Sequence, residues 1–225
     1  MENSIPFVKL LDGRSFYYAF LAGAQRIFEN QGLLNKMNVF PVADADTGTN
    51  LASTMRSIVD SPIPTNNVKM AAAALADAAI VGARGNSGII FAQFLYGFSN
   101  EIESEDNLTV ENFSRSVSKA VTYAYEAIAN PVEGTMISVI REWAEFINTM
   151  KGLIDDFVEL LTKAFQVAKK SLAETTLHLE ALAKANVVDA GAKGFVLFLE
   201  GMIDFFKNRQ TIRRLAIPMN DMILE

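Results

Sequence analysis

Apolar residues recur along this chain at three- and four-residue steps and almost nowhere at two. Phe16, Tyr17, Phe20, Ala24, Ile27 and Phe28 draw one stripe, which predicts a helix from about Asp12 to Gln31. The same spacing returns in Leu51, Met55, Ile58 and Val59, in the alanine-rich Val68 to Val81, and in Ile90, Phe91, Phe94, Leu95 and Phe98, predicting three more. Beyond the acidic stretch Glu101 to Asp106, Thr109 suits the cap of a helix carrying Val117, Ala120, Val121, Ala124, Tyr125 and Ile128, which Asn130-Pro131 ends. Further helices are predicted from Thr135 to Met150, from about Leu153 to Glu174, briefly from Leu177 to Ala185, and from Lys193 to Lys207. Because β-branched and aromatic residues fall on helical stripes, the expected fold class is all-α: eight long helices and one short, packed antiparallel through short connections. Pro218 and Met219-Asn220-Asp221 break the pattern. Residues 1–208 therefore read as one domain and 209–225 as a tail or linker to a further domain.

Composition narrows the function classes. With 225 residues, half of them apolar, the chain can bury one substantial core. No apolar run reaches the ~18 residues of a membrane span, and Met1 to Leu10 lack a basic stretch followed by an apolar block, so a cytoplasmic protein without a membrane span is expected. There is no cysteine, which excludes disulfides, thiolate metal sites and a cysteine nucleophile. His178 is the only histidine, which argues against histidine zinc sites and serine-histidine-aspartate machinery. The net charge is -6 and the 20 basic residues are scattered, so no nucleic-acid partner is expected.

Glycine and aspartate, by contrast, gather in four clusters between the helices, where function should be sought. The first is Asn38-Val39-Phe40-Pro41-Val42-Ala43-Asp44-Ala45-Asp46-Thr47-Gly48-Thr49-Asn50. Two carboxylates two residues apart at the mouth of a helix combine hard oxygen ligands for magnesium with backbone amides suited to phosphate. The plainer reading is that Asp46 and Thr49 cap the next helix. An EF-hand is excluded, since Thr49 and Met55 stand where the loop needs glycine and glutamate. The second cluster is Gly82-Ala83-Arg84-Gly85-Asn86-Ser87-Gly88. Its glycines allow close approach to a polyphosphate, and Asn86 and Ser87 can donate to it. It is neither a Walker loop nor a dinucleotide fingerprint, and a tight helix-helix connection would look the same. Pro131-Val132-Glu133-Gly134-Thr135-Met136 and Val188-Asp189-Ala190-Gly191-Ala192-Lys193-Gly194 open two further helices. If alternate connections of an antiparallel bundle lie at one end, all four clusters converge there.

Taken in order, these motifs resemble the dihydroxyacetone kinase L-domain superfamily, and most closely the N-terminal kinase domain of bacterial fatty acid kinase A proteins. The resemblance runs from about Phe16 to Lys207. The family's usual Pro-Asp-Gly-Asp reads Ala43-Asp44-Ala45-Asp46 here, with both carboxylates kept. Dihydroxyacetone kinases proper tend to have an aspartate near Asn38 and a histidine at Thr47, so the fatty acid branch is the nearer one. The resemblance implies an eight-helix antiparallel barrel with ATP or ADP bound at one end through two magnesium ions. It makes Asp44 and Asp46 metal ligands and the catalytic pair, with Asn38 an additional oxygen donor. Gly48, Thr49, Asn50, Asn86, Ser87 and Gly88 would line the phosphates, Thr135 and Met136 would lie by the nucleotide, and Asp189 with Gly191 would close the site.

The reaction so implied is phosphoryl transfer to the carboxylate of a fatty acid presented by a DegV-like binding protein. A carboxylate is already ionised at neutral pH, so no general base is required. The alternatives are a dihydroxyacetone kinase subunit and a non-catalytic magnesium-ATP-binding module; a homodimer is left open. Arg84 and Arg141 are expected in surface salt bridges, His178 outside the chemistry, and the phenylalanine stripes in the core.

Overall fold

The computed structural model describes residues 6–60, 65–103 and 106–208. The tail 209–225 lies outside the described residues. Nine helices form among them: α1 (Gly13–Met37), α2 (Thr47–Val59), α3 (Val68–Gly82), α4 (Gly85–Asn100), α5 (Val110–Glu126), α6 (Met136–Thr149), α7 (Phe157–His178), α8 (Glu180–Ala185) and α9 (Ala190–Lys207). The expected all-α fold is what forms, and α8 is the expected short helix. Each long helix packs on the next from α1 to α7; α9 then fits between α7 and α1, so that eight helices close a ring. Gly23 and Gly201 allow α1 and α9 to approach closely, since a β-carbon at Gly201 would meet the Ala22 carbonyl.

The interior of the ring is aromatic. Phe20 lies 4.7 Å from Phe198 and 6.3 Å from Phe91, while Phe113 stacks edge-on to Phe157 and Trp143. Phe20 and Phe91 belong to the stripes predicted from the sequence, and burial of such side chains is the main stabilising term.

Several boundaries differ from expectation. α1 continues past Gln31 to Met37, because Leu34 remains on the buried stripe and Gly32 faces open space. α7 begins at Phe157 rather than near Leu153; Asp156 caps it by accepting from Val158 and Glu159 N–H. Two three-residue strands that period-two patterning missed, β1 (Leu10–Asp12) and β2 (Asn107–Thr109), pair antiparallel with Leu11 opposite Leu108. Three residues are too few to show alternation.

The helix starts fall into two sets. α1, α3, α5 and α7 are capped by the side chains of Asp12, Asn67, Thr109 and Asp156. α2, α4 and α6 begin at Asp46, Arg84 and Thr135 with no side-chain cap and open at the other end of the bundle, where α9, capped by Asp189, also begins.

Candidate functional site

At that end lies a cleft of about 500 Å³ to which all four clusters contribute. Asn38, Asp44, Asp46 and Asn50 line it from the first; Asn86 and Ser87 from the second; Thr135 and Met136 from the third; Asp189 and Gly191 from the fourth. The convergence expected from antiparallel topology is therefore present. Parts of the clusters are helical rather than connecting: Thr47 to Asn50, Gly85 to Gly88 and Ala190 to Gly194 form the first turns of α2, α4 and α9.

Asp44 and Asp46 are both exposed to the cleft. Asp46 gives no cap hydrogen bond to α2, so the plain capping reading does not hold for its carboxylate. Neither aspartate has a cationic partner among the described residues; Asp44 accepts one hydrogen bond, from Asn38 Nδ2 at 3.0 Å. Between them Ala45 sits in the left-handed region with φ 55°, a conformation that a β-carbon disfavours by about 1–2 kcal/mol.

Asn38 has another duty than the metal ligation expected of it. It is buried; its Oδ1 accepts from Thr47 N–H at 3.1 Å and from the Thr47 hydroxyl, and its Nδ2 donates to the Val42 carbonyl at 2.7 Å as well as to Asp44. The amide orientation follows from the chemistry: Thr47 N–H can only donate, so the oxygen must face it. Both lone pairs of that oxygen are occupied, and Asn38 is the staple that shapes the aspartate loop.

Three other expected phosphate contacts do not line the cleft. Thr49 faces α1, where its hydroxyl accepts from Asn35 at 3.0 Å and its N–H donates to Asn35 Oδ1 at 3.0 Å. A β-carbon at Gly88 would stand 2.7 Å from Thr54 Oγ1, and one at Gly48 would meet the Gln31 carbonyl oxygen. These positions are small because helices touch there. Gly48→Ala is expected to lower stability by about 1–3 kcal/mol through this overlap, read as a lower urea midpoint; an unchanged midpoint would show that α2 can shift freely on α1.

The start of α4 is the most open donor surface. Gly85 takes φ 59°, a β-carbon there would collide with Asn50, and the N–H groups of Asn86 and Ser87 have no acceptor among the described residues. Gly191 leaves room for Ser87: a β-carbon would lie 2.6 Å from Ser87 Oγ. Thr135 donates its hydroxyl to the Val132 carbonyl at 2.8 Å.

Below the third cluster, Glu133 accepts from Tyr125 at 2.8 Å, Ser138 at 2.7 Å and Arg141 at 2.9 Å. Burial alone would raise the Glu133 carboxyl, but these donors outweigh it and hold it below the usual range. Burial first, and Glu133 second, push the Tyr125 phenol up to about 12. Arg141 thus forms the expected surface pairs, with Glu133, Glu142 and Glu145. Arg84 does not: its guanidinium turns back to the Ala83 carbonyl at 2.7 Å, at the exposed end of α3. His178 is exposed and packs on Gly134.

Asp189 is the titratable cleft residue that the structure buries, at 6% exposure. Its Oδ1 accepts from Met136 N–H at 3.0 Å and Ala192 N–H at 2.8 Å, joining the starts of α6 and α9. Burial pushes its carboxyl up to about 6 against the opposing pull of these two bonds.

The chain is similar to known proteins. The YloV protein of Bacillus subtilis is 34% identical over 219 residues, a match covering 96% of this chain and 40% of YloV. An uncharacterized protein of Staphylococcus saprophyticus is 34% identical over 216 residues, covering 95% and 39%. The chain thus spans about two-fifths of the length of these relatives. Among solved structures, the dihydroxyacetone kinase from C. freundii, in complex with AMP-PNP and Mg2+, superposes with a TM-score of 0.63 at 18% identity over 91% of this chain and 36% of that one, which shows a common fold. The model of the DAK2 domain matches residues 41–204, from Pro41 in the aspartate loop into α9, taking in Asp44, Asp46 and the other three clusters; the chain belongs to the DAK2 domain family.

Proposed function

We propose that this domain binds ATP with magnesium in the cleft and transfers its terminal phosphoryl group to the carboxylate of a fatty acid presented by a DegV-like protein. The observation that carries the reading is the pairing, in one cleft, of two exposed carboxylates without cationic partners and an uncapped helix start with free N–H groups. Cation ligands and anion donors side by side suit a metal-bound polyphosphate better than either would suit another ligand. The presence of AMP-PNP and Mg2+ in the related dihydroxyacetone kinase supports it.

The residues fit magnesium, which keeps waters and takes one or two carboxylates plus phosphate oxygens. Asp44 and Asp46 would hold it; among the described residues no group of three or more acidic or histidine ligands exists that would favour a different site. When bound, magnesium neutralises charge on the transferring group. The chain's own part is positional. Asn38 shapes the loop that presents the two aspartates, the N–H groups of Asn86 and Ser87 and the Ser87 hydroxyl donate to phosphate oxygens, and Asp189 holds the starts of α6 and α9 together. An ionised acyl carboxylate attacks without a base, which agrees with a cleft that His178 does not line.

The common fold with dihydroxyacetone kinase favours a second reading, a subunit serving phosphoryl transfer to dihydroxyacetone. Acyl phosphate trapped with hydroxylamine, from ATP, magnesium, fatty acid and a DegV-like protein, decides between them. The first reading expects trapped product that requires all four components. Phosphate accepted from a phosphotransferase protein, with no trapped product, supports the second; binding without any transfer leaves a nucleotide-binding module.

A further inference from the structure

The mechanism above uses Asp189 only as a brace, yet half of its carboxylate is unspent. Oδ1 serves Met136 and Ala192, so α6 and α9 fix this side chain, and the Asp189 N–H donates to Thr175 Oγ1 at 3.1 Å, so α7 fixes its backbone. Oδ2 has no partner among the described residues, although the residue is 6% exposed and lines the cleft. An unpaired carboxylate oxygen beside a triphosphate would repel it. A protonated one would donate to it.

We propose that Asp189 meets the nucleotide as the neutral acid, its Oδ2–H donating to a phosphate oxygen, so that nucleotide binding takes up one proton from solvent. The inference rests on the nucleotide reading of the cleft. Geometry supplies the donor position, because N–H groups of α6 and α9 both hold Oδ1 while α7 anchors the backbone beneath it, which leaves Oδ2 as the free oxygen. Burial already pushes this carboxyl up to about 6, and an arriving anion pushes it further in the same direction. Buried carboxyls held neutral at pH 7 serve as hydrogen-bond donors elsewhere in enzyme chemistry.

The charged groups on the surrounding elements leave this logic intact. Glu133 and Arg141 beside α6 pair with each other, and His178 at the end of α7 is exposed. Glu174 pairs with Lys170, and Glu180 with Lys184. Lys193 on α9 and Arg84 before α4 make no bond to Asp189, and Asp44 and Asp46 share the cleft with it. None of these hydrogen-bonds or ion-pairs with Asp189 among the described residues.

Calorimetry of magnesium AMP-PNP binding in two buffers of different ionisation enthalpy counts the protons. The parent is expected to take up about one more proton than Asp189→Asn at pH 7.5, and its affinity to fall about tenfold per pH unit above pH 7 relative to that variant. Equal proton counts overturn the proposal while leaving the nucleotide site standing. No binding by the parent overturns the nucleotide reading and the proposal with it. Should Asp189→Asn fail to fold by circular dichroism, the parent decides alone. Infrared difference spectra of carboxyl-labelled protein at pH 7.5 must then show a protonated aspartic acid band appearing on nucleotide addition, and its absence overturns the proposal.

Discussion

Asp44→Ala or Asp46→Ala is expected to weaken ATP binding in magnesium by on the order of a hundredfold or more, while the helical circular-dichroism spectrum and the urea midpoint stay unchanged. Magnesium usually takes one or two carboxylates from the protein, and these are the two that the cleft exposes; the third, Asp189, is buried. Their exposure separates function from folding: a surface substitution away from caps, cavities and ion pairs moves stability by no more than about 0.5 kcal/mol. Asn38 retains its bonds to Val42 and Thr47 when Asp44 is removed, so the loop keeps its shape. A variant that bound ATP as tightly as the parent would place the metal elsewhere.

The second large effect concerns pH. In the folded chain the Asp189 carboxyl stands at about 6, against ~3.9 in an unfolded one. Its folded value is raised, so between pH 4 and 6 the folded state holds more protons. Stability from this group is therefore greatest below pH 4 and is lost as pH rises through 6. Above that, burying the ionised carboxylate costs about 3 kcal/mol, an upper figure because the cleft is open to water. An asparagine in its place caps a helix about as well and carries no charge to bury; Asp189→Asn keeps an oxygen for Met136 and Ala192. Without nucleotide, this variant should therefore be more stable than the parent at pH 8 by up to that amount. The difference should shrink toward pH 4. Because Glu133 shifts the other way, the parent-minus-variant difference is the quantity to follow. A variant less stable than the parent at pH 8 would mean that the two caps outweigh the burial of charge.

The long helices were legible because each carries a stripe at helical spacing, as Phe16, Phe20 and Ile27 do on α1 and Phe91, Phe94 and Phe98 on α4, and the core consists of those stripes. The place of the candidate site was legible because glycine and aspartate interrupt the stripes at alternate connections, and antiparallel packing brings alternate connections together. What each residue does inside a cluster was less so. Gly48 and Gly88 look like phosphate-loop glycines in a one-dimensional reading, but their role depends on Gln31 and Thr54, residues that only packing brings near. Asn38 has the chemistry of a ligand until Thr47 and Asp44 are seen to occupy it. The burial of Asp189 has no local signal at all, since Met136 and Thr175 reach it from other helices. The left-handed Ala45 shows the same limit from the other side: alanine gives no hint of a positive φ, yet the turn between the two aspartates adopts one.

The most direct measurement is calorimetric titration of the domain with ATP in magnesium, repeated in EDTA. Saturable binding at one site per chain, abolished by the chelator and by Asp46→Ala, is the predicted result. Equal heats with and without EDTA, or none in either, would contradict the assignment of this cleft to a metal-bound nucleotide.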